Sequence, residues 1–234
     1  MTTPSAPGSL EAGQVRAMFD RIAGPYDAMN SVMTAGLHHR WRARAADLAA
    51  LEPGDRALDV ATGTGDLAIE LARRVAPGGQ VLGADFSEAM LARARTKAPE
   101  LRFEWADALE LPYPDGSFAA ATVGFGARNF SDLSGGLAEM ARVVSPGGRV
   151  VVLEITTPTR APLSWFYRLW FDRVVPGLGR IAGDSEAYAY LPSSVRRFPA
   201  PAELAALMAA AGLTDVRYIL TAGGIIALHV GTVG

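Results

Sequence analysis

The chain has 234 residues, half of them apolar and a fifth charged, with a formal net charge of −2, the balance of an ordinary globular chain with a sizeable core. Without a surplus or clustering of Lys and Arg, phosphate neutralisation has nothing to act through, and nucleic acid is excluded as a partner. No cysteine is present, which excludes disulfides, thiolate metal sites and cysteine nucleophiles, and the three histidines show no metal-site spacing with carboxylates, so no metal is expected.

Residues 1–12 are small, polar and Pro-bearing and read as a flexible tail, with a single domain expected over 13–234. No signal-peptide core and no run of about 18 apolar residues is found, so the expected location is the cytoplasm. From Gln14 to Leu51 the apolar positions Val15, Met18, Phe19 and Ile22, then Met29, Val32 and Met33, then Trp41, Ala45 and Leu48 recur at helical spacing, as for core-facing positions. His38 and His39, at a helix start ahead of Trp41, read as exposed residues, with contact to a substrate as the lesser reading. Pro53-Gly54 closes this helical preface.

Arg56–Leu71, RALDVATGTGDLAIEL, reads as a buried strand, a turn with Gly63 and Gly65, and a helix, which is a ligand cradle at a helix N-terminus. Gly63-x-Gly65-x-x-Ala68, with Asp85 about 20 residues on, satisfies the dinucleotide fingerprint, so spacing alone admits a nicotinamide cofactor. Charge points elsewhere. Asp66 opens the helix and Asp59 sits in the feeding strand, and carboxylates there oppose a pyrophosphate but favour a cation. S-adenosylmethionine carries a sulfonium and an ammonium, no phosphate, and a ribose diol that an acid at the end of the next strand can hold.

Strands are read at Arg56–Ala61, Gln80–Asp85, Leu101–Ala106, Phe118–Gly124 and Gly148–Thr156, and helices at Asp66–Val75, Ser87–Ala98 and Asp132–Val144. Pro77-Gly78-Gly79 and Pro146-Gly147-Gly148 read as turns. The alternation implies an α/β fold with a parallel sheet, right-handed crossovers and helices on both faces. Ligands then lie at the carboxyl ends of the strands, where Thr62-Gly63, Asp85, Asp107 and Gly124–Asn129 stand. Beyond Thr156 the rhythm breaks. In Arg160–Arg180 the residues Leu163, Phe166, Tyr167, Trp170 and Val174 form one helical stripe with Arg168, Arg173 and Arg180 opposite, which suits either a core helix or an amphipathic cap. Leu191–Pro199 leads to a helix over Ala202–Ala211, capped by Gly212, and Asp215–Leu220 with Gly224–Gly231 reads as a closing hairpin around Thr221–Gly223. His229, within it, reads as a structural residue.

Five segments, MFDRIAGPYDAMNSVMTAGLHHRWR at 18–42, LDVATGTGD at 58–66, VGFGARNF at 123–130, LPSSVRRFP at 191–199 and GGIIALHVG at 223–231, identify a resemblance running from about Val15 to Gly231. The chain resembles the ubiquinone/menaquinone biosynthesis C-methyltransferases. The resemblance implies a Rossmann-like class I methyltransferase with a seven-stranded, mostly parallel sheet ending in an antiparallel hairpin. It also implies a helical lid over 13–51 and a helical cap insertion over 157–200. Its activity would be S-adenosylmethionine-dependent C-methylation of a prenylated quinol, demethylmenaquinol to menaquinol foremost; another hydrophobic phenol or a polyketide is the alternative. Cofactor contacts are expected at Asp59, Thr62, Gly63, Gly65, Asp85, Phe86, Asp107, Ala108 and Gly124, with Asp85 on the ribose hydroxyls and Asp107 on the adenine amino group. Relatives commonly carry serine where this chain has Gly124. Asp66, Arg128 and Asn129 are expected to face the reacting ring, and Tyr26, Asn30 and Met33 to form the substrate lid. A phenolate must form for carbon to be methylated, so Arg128 reads as oxyanion stabiliser, Asn129 as orienter of a ring oxygen or water, and Asp66 as base or water-orienter. Asp66 also fits the cofactor ammonium or the helix cap equally well. A prenyl tail implies peripheral attachment at the inner face of the membrane. Nothing in the residues sets the oligomeric state, a homodimer included.

Overall fold

The computed structural model describes residues 12–158, 161, 163–169 and 185–234. In chain order the elements are α1 (Ala12–Ile22), α2 (Tyr26–Thr34), α3 (Leu37–Leu48), β1 (Arg56–Val60), α4 (Asp66–Val75), β2 (Gln80–Asp85), α5 (Glu88–Lys97), β3 (Arg102–Trp105), β4 (Phe118–Gly124), α6 (Leu133–Val143), β5 (Val144–Ile155), α7 (Leu163–Leu169), α8 (Ser185–Arg197), α9 (Pro201–Ala210), β6 (Leu213–Thr221) and β7 (Ile226–Val233). The seven strands form one sheet in the order β3-β2-β1-β4-β5-β7-β6. β1 to β5 run parallel, whereas β7 lies antiparallel between β5 and β6.

Successive strand residues point to opposite faces, and that alternation builds two cores. Ala57, Val81, Ala120 and Val151 pack with Ala45 of α3, Leu71 of α4 and Leu91 of α5. Their neighbours Leu58, Leu82, Ala121 and Val150 pack with Leu137 and Met140 of α6 and Leu204 and Met208 of α9. With both faces covered, the β1–β4 pair sits in the middle of the sheet, and its carboxyl end, where the strand order reverses, is the place where such a sheet takes ligands. Helix starts follow local chemistry. Ser87 Oγ accepts from the Met90 N–H at 3.2 Å to begin α5, and Asp132 accepts from Gly135 N–H to begin α6.

Several elements depart from the sequence reading. The helical preface is three helices, because Gly24-Pro25 interrupts it and Ala35 (φ 48°) and Gly36 (φ 75°) turn through the left-handed region. Pro146-Gly147-Gly148 is no turn between elements but an irregularity inside β5. Val144 pairs with Phe118 and Arg149 with Ala120, so the extra β5 residues bulge out, and Gly147 supplies φ 81°. LPSSVRRFP does not merely lead into a helix, since its first part belongs to α8, with Pro192 inside the helix. The hairpin is longer than expected at its start, because β6 pairs from Leu213 across an irregularity between Thr214 and Arg217, where Asp215 has φ 49°. Residues 1–11 of the expected tail lie outside the described residues, and α1 begins at Ala12. Of Arg160–Arg180, Leu163–Leu169 is described as α7, whereas Trp170, Arg173, Val174 and Arg180 lie outside the described residues, as do the side chains of Leu163, Phe166 and Arg168.

Candidate functional site

The cradle begins where β1 ends. Ala61 (φ 51°), Gly63 (φ 57°) and Gly65 (φ 85°) take the chain through three left-handed positions before α4. At Gly65 a Cβ would stand 2.9 Å from the Phe103 ring, so the turn closes only on a residue without one. Thr62 N–H donates to the Ala84 carbonyl and Gly63 N–H to the Asp85 carboxylate at 2.8 Å, which locks the loop to the end of β2. The other Asp85 oxygen accepts from Ser87 N–H at 2.9 Å. Burial pushes the Asp85 carboxyl up to about 6 against these backbone hydrogen bonds. Asp59, 1% exposed, accepts from the Thr62 and Thr122 hydroxyls at 2.7 Å each, and burial likewise lifts its carboxyl to about 6.

Two cavities meet above this loop. The first is small, about 100 Å³, and lies on the strand ends: Asp59, Thr62, Gly63, Asp66, Asp85, Phe86, Asp107, Ala108, Gly124 and Asn129 all line it. Gly65 shapes the turn without lining that cavity. The second, about 430 Å³, is apolar and lies between the N-terminal helices and Tyr190 and Leu191 of α8, with Tyr26, Asn30, Met33 and Arg128 in its wall. The three residues expected to face the reacting ring are thus divided, Asp66 and Asn129 on the first cavity and Arg128 on the second. Phe19, Tyr26, Arg42 and Phe125 border both.

The helices of the preface are fastened to the cofactor-side loops by side chains. Asp20 of α1 accepts from the Ser87 hydroxyl at 2.5 Å. Asp27 of α2 accepts from the Thr64 hydroxyl at 2.6 Å and from Lys97. Lys97 also donates to Asp66 at 2.9 Å, and the second Asp66 oxygen lies 3.5 Å from the Arg42 guanidinium. Burial pushes the Asp66 carboxyl up, but Arg42, Lys97 and His38 outweigh it and hold the carboxyl below its ordinary value.

His38 is 2% exposed, which corrects its expected place on the surface; His39 is exposed. Arg42 donates to His38 Nδ1. Since a guanidinium can only donate, Nδ1 accepts, the ring proton sits on Nε2, and Nε2 donates to Ser31 Oγ at 3.1 Å. Burial first, then Arg42 and His39, push the imidazole down to about 4, so the ring is neutral at neutral pH. His38, His39 and Asp66 bring ligand atoms within 4.8 Å of one another. Their charge is answered by Arg42 and Lys97, and the His38 Nδ1 lone pair by Arg42, which leaves a metal little to bind.

Arg128 is held from behind. Its Nη1 donates to the buried Glu154 at 2.8 Å and to the Phe125 carbonyl, and its Nε is buried with no partner among the described residues. Asn129 Oδ1 accepts from the Tyr190 hydroxyl at 3.2 Å, which joins the strand end to α8. A Cβ on Gly124 would stand 3.1 Å from Leu67 Cδ2, so a serine there fits once Leu67 gives a few tenths of an ångström. His229 donates to the Pro201 carbonyl at 2.9 Å, far from both cavities.

Arg42 and Phe125 were not singled out from the sequence, and Phe19 was read there only as a core-facing position. Arg42 and Phe19 lie within the 18–42 segment and Phe125 opens FG-x-RN, where its φ of 62°, unusual for a bulky residue, marks it as held in place by its surroundings.

The strand order, the antiparallel last strand and an acid-lined glycine loop at the end of β1 define a class I S-adenosylmethionine-dependent methyltransferase. The same fold is seen in a methyltransferase from Thermotoga maritima described as a possible histamine N-methyltransferase, with a TM-score of 0.65 and 20% identity over 93% of this chain and 98% of that one. It is also seen in Haemonchus contortus phosphoethanolamine N-methyltransferase 2 in complex with S-adenosyl-L-methionine, with a TM-score of 0.56 and 15% identity over 78% of this chain and 49% of that one.

The chain belongs to the ubiE/COQ5 methyltransferase family, whose family model matches residues 8–233. It is similar to the demethylmenaquinone methyltransferase of Thermus thermophilus, at 52% identity over 92% of this chain and 99% of that one. It is likewise similar to the protein of the same name from Deinococcus radiodurans, at 46% identity over 97% and 96%, and to the ubiquinone/menaquinone biosynthesis C-methyltransferase of Geobacter sulfurreducens, at 41% over 94% and 89%. Its cofactor is S-adenosylmethionine, and the donor set of the first cavity suits that molecule. Four aspartates, at 59, 66, 85 and 107, line it against one cation, Arg42, which repels a pyrophosphate and accommodates a sulfonium and an ammonium.

Proposed function

We propose that the protein transfers a methyl group to a ring carbon of a prenylated quinol, converting demethylmenaquinol to menaquinol. The observation that carries this reading is the junction of an acid-lined cavity with an apolar one of about 430 Å³, in a family whose named relatives are quinone-biosynthesis C-methyltransferases. A cavity of that size and lining suits an aromatic ring with the start of an isoprenoid chain.

When bound, S-adenosylmethionine supplies an electrophilic methyl on sulfur. In this reading Asp85, held in place by backbone hydrogen bonds from Gly63, Phe86 and Ser87, holds the ribose diol. Asp107 and Ala108 take the adenine edge, Thr62, Gly63 and Phe86 frame the nucleoside, and Asp59 and Asp85 set a negative potential for the cationic end. Gly65 serves by turning the loop, and Gly124 by leaving room beside Leu67. Aligning the two reactants across the shared wall converts a bimolecular encounter into an oriented one.

The acceptor carbon becomes nucleophilic when the ring hydroxyl gives up its proton. Arg128 borders the apolar cavity, its Nε–H has no partner among the described residues, and it is a donor for one ring oxygen. Asn129, its carbonyl engaged by Tyr190, retains its amide N–H groups for a ring oxygen or a water. Asp66, kept ionised by two cations, is a weak proton acceptor and acts by orienting the groups around it. Helices α1 to α3, over 13–51, serve as the lid, and the 157–200 segment as the cap in one domain with the sheet.

No helix among the described residues is long and apolar enough to cross a membrane. Val32, Leu37, Trp165 and Leu169 leave large apolar side chains exposed on the lid and α7. A prenyl chain favours the bilayer by about 0.8 kcal/mol per buried CH₂, so a cytoplasmic enzyme attached peripherally to the inner face of the membrane meets its substrate there. The test is a methyl-transfer assay on demethylmenaquinol, a ubiquinone precursor and soluble phenols presented in micelles. Turnover of the prenylated quinols supports the proposal, whereas turnover of soluble phenols alone overturns it. Sedimentation with anionic liposomes is expected, and failure to sediment with or without substrate removes the membrane part.

A further inference from the structure

We propose that Arg42, carried by lid helix α3, is the cation that holds the ionised oxygen of the acceptor ring where the two cavities meet, with His38 and Asp66 setting its position. The inference rests on the quinol reading above. Of the four residues that border both cavities, Phe19, Tyr26, Arg42 and Phe125, Arg42 alone carries a charge. Methyl transfer requires the electrophilic carbon, which lies in the acid-lined cavity, to touch the ring carbon, which lies in the apolar one. The ring oxygen next to that carbon is therefore at the shared wall.

The geometry around Arg42 is that of an oriented donor. Its guanidinium lies 5.3 Å from the centroid of the Phe125 ring and is 6% exposed. His38 is its one hydrogen-bond acceptor among the described residues, and Asp66 adds an ion pair at 3.5 Å, beyond good hydrogen-bond length. The titratable groups facing it come from three elements: the neutral His38 on α3, Asp66 on α4, whose other oxygen is occupied by Lys97 of α5, and Asp59 on β1 at longer range. A planar fork with one committed hydrogen bond retains donors for an oxyanion. Competing cations are placed otherwise. Arg128 borders only the apolar cavity and is paired with Glu154, and Lys97, committed to Asp66 and Asp27, lines neither cavity.

The chemistry balances without another reagent. The ring hydroxyl O–H breaks and its proton leaves to solvent; the resulting phenolate faces Arg42. The ring carbon then forms a bond to the methyl carbon while the carbon–sulfur bond breaks, its electron pair remaining on sulfur, now neutral. Loss of the proton from that ring carbon and reprotonation of the oxygen restore the aromatic quinol, with one proton released overall.

The experiment uses 1-naphthol as a soluble probe whose ionisation is read by absorbance and fluorescence, bound to the full chain together with S-adenosylhomocysteine. In the wild type the bound probe ionises at a pH lower than in water by about one to three units, as expected beside a cation. Arg42→Met abolishes this shift and, with S-adenosylmethionine saturating, lowers kcat on the quinol about 10²- to 10³-fold. Arg42→Lys keeps the probe shift and loses part of kcat. A wild-type-like probe shift in Arg42→Met overturns the proposal. If that variant does not fold, Arg42→Lys decides: a retained shift with lowered kcat supports it, and ionisation as in water overturns it. Failure of the wild type to methylate any quinol strikes the functional reading, which the probe titration does not depend on.

Discussion

Asp59 is the residue at which stability and function are expected to pull apart. Its carboxyl is buried beneath the loop and lifted from 3.8 to about 6, chiefly by burial, against two hydroxyl hydrogen bonds. At about 1.36 kcal/mol per pH unit, ionising it in the folded state costs about 3 kcal/mol relative to the unfolded chain. The sign follows from the raised value: this stability is fully present below pH 3.8, drains as pH rises, and is gone above about 6. Asp59→Asn removes the charge, keeps one acceptor for a threonine hydroxyl and lets the other hydroxyl rotate to accept from the amide. The variant without ligand is expected to be about 1–3 kcal/mol more stable than wild type at pH 8 by urea unfolding, with the gap closing between pH 6 and 4. S-adenosylmethionine binding weakens, and S-adenosylhomocysteine, uncharged at sulfur, loses less. A variant that is less stable at pH 8, or a gap independent of pH, refutes the reasoning.

Glu154→Gln leaves the Arg128 guanidinium buried without its counter-charge and is expected to destabilise the fold by about 3–5 kcal/mol in urea. Asp27→Ala removes the tie from α2 to Thr64 and Lys97. The ion pair is partly exposed, so global stability falls by less than about 1 kcal/mol, while limited proteolysis of the N-terminal helices speeds up and cofactor Kd rises. Gly124→Ser, needing only a small shift of Leu67, is expected to change stability by less than about 1 kcal/mol and to leave cofactor binding at least as tight, read by calorimetry.

Local chemistry made much of the fold legible. Arg56–Leu71 carried its apolar strand, its glycines and its helix within 16 consecutive residues, and, the start of β5 apart, the strands and helices of the parallel half lie close to where the alternation puts them. What escaped was set by contacts distant in sequence or by single backbone angles. Apolar spacing continues across Gly36, so the helical reading of Gln14 to Leu51 set no boundaries where the structure has them. Pro146–Gly148 has turn composition, yet pairing on both sides with β4 keeps it within β5. His38 looked like a surface residue because its partners, Ser31 and Arg42, are near in sequence but meet its ring only once the left-handed turn at Ala35 and Gly36 folds α2 back beside α3. Likewise, Glu154 behind Arg128 stands 26 residues away on another strand, and no local pattern links the two. The acid-rich lining was readable because Asp59 lies in β1 one residue before its end, Asp66 opens α4, Asp85 ends β2 and Asp107 follows β3.

The central claim is that the two cavities bring a sulfonium methyl to a carbon of a prenylated quinol, and its most direct measurement follows a ¹³C-labelled methyl group from S-adenosylmethionine into demethylmenaquinol. The account predicts a product bearing one labelled methyl on a ring carbon, identified by mass spectrometry and carbon NMR. Label on a ring oxygen, or no product from a protein that binds S-adenosylmethionine and the quinol together, contradicts it.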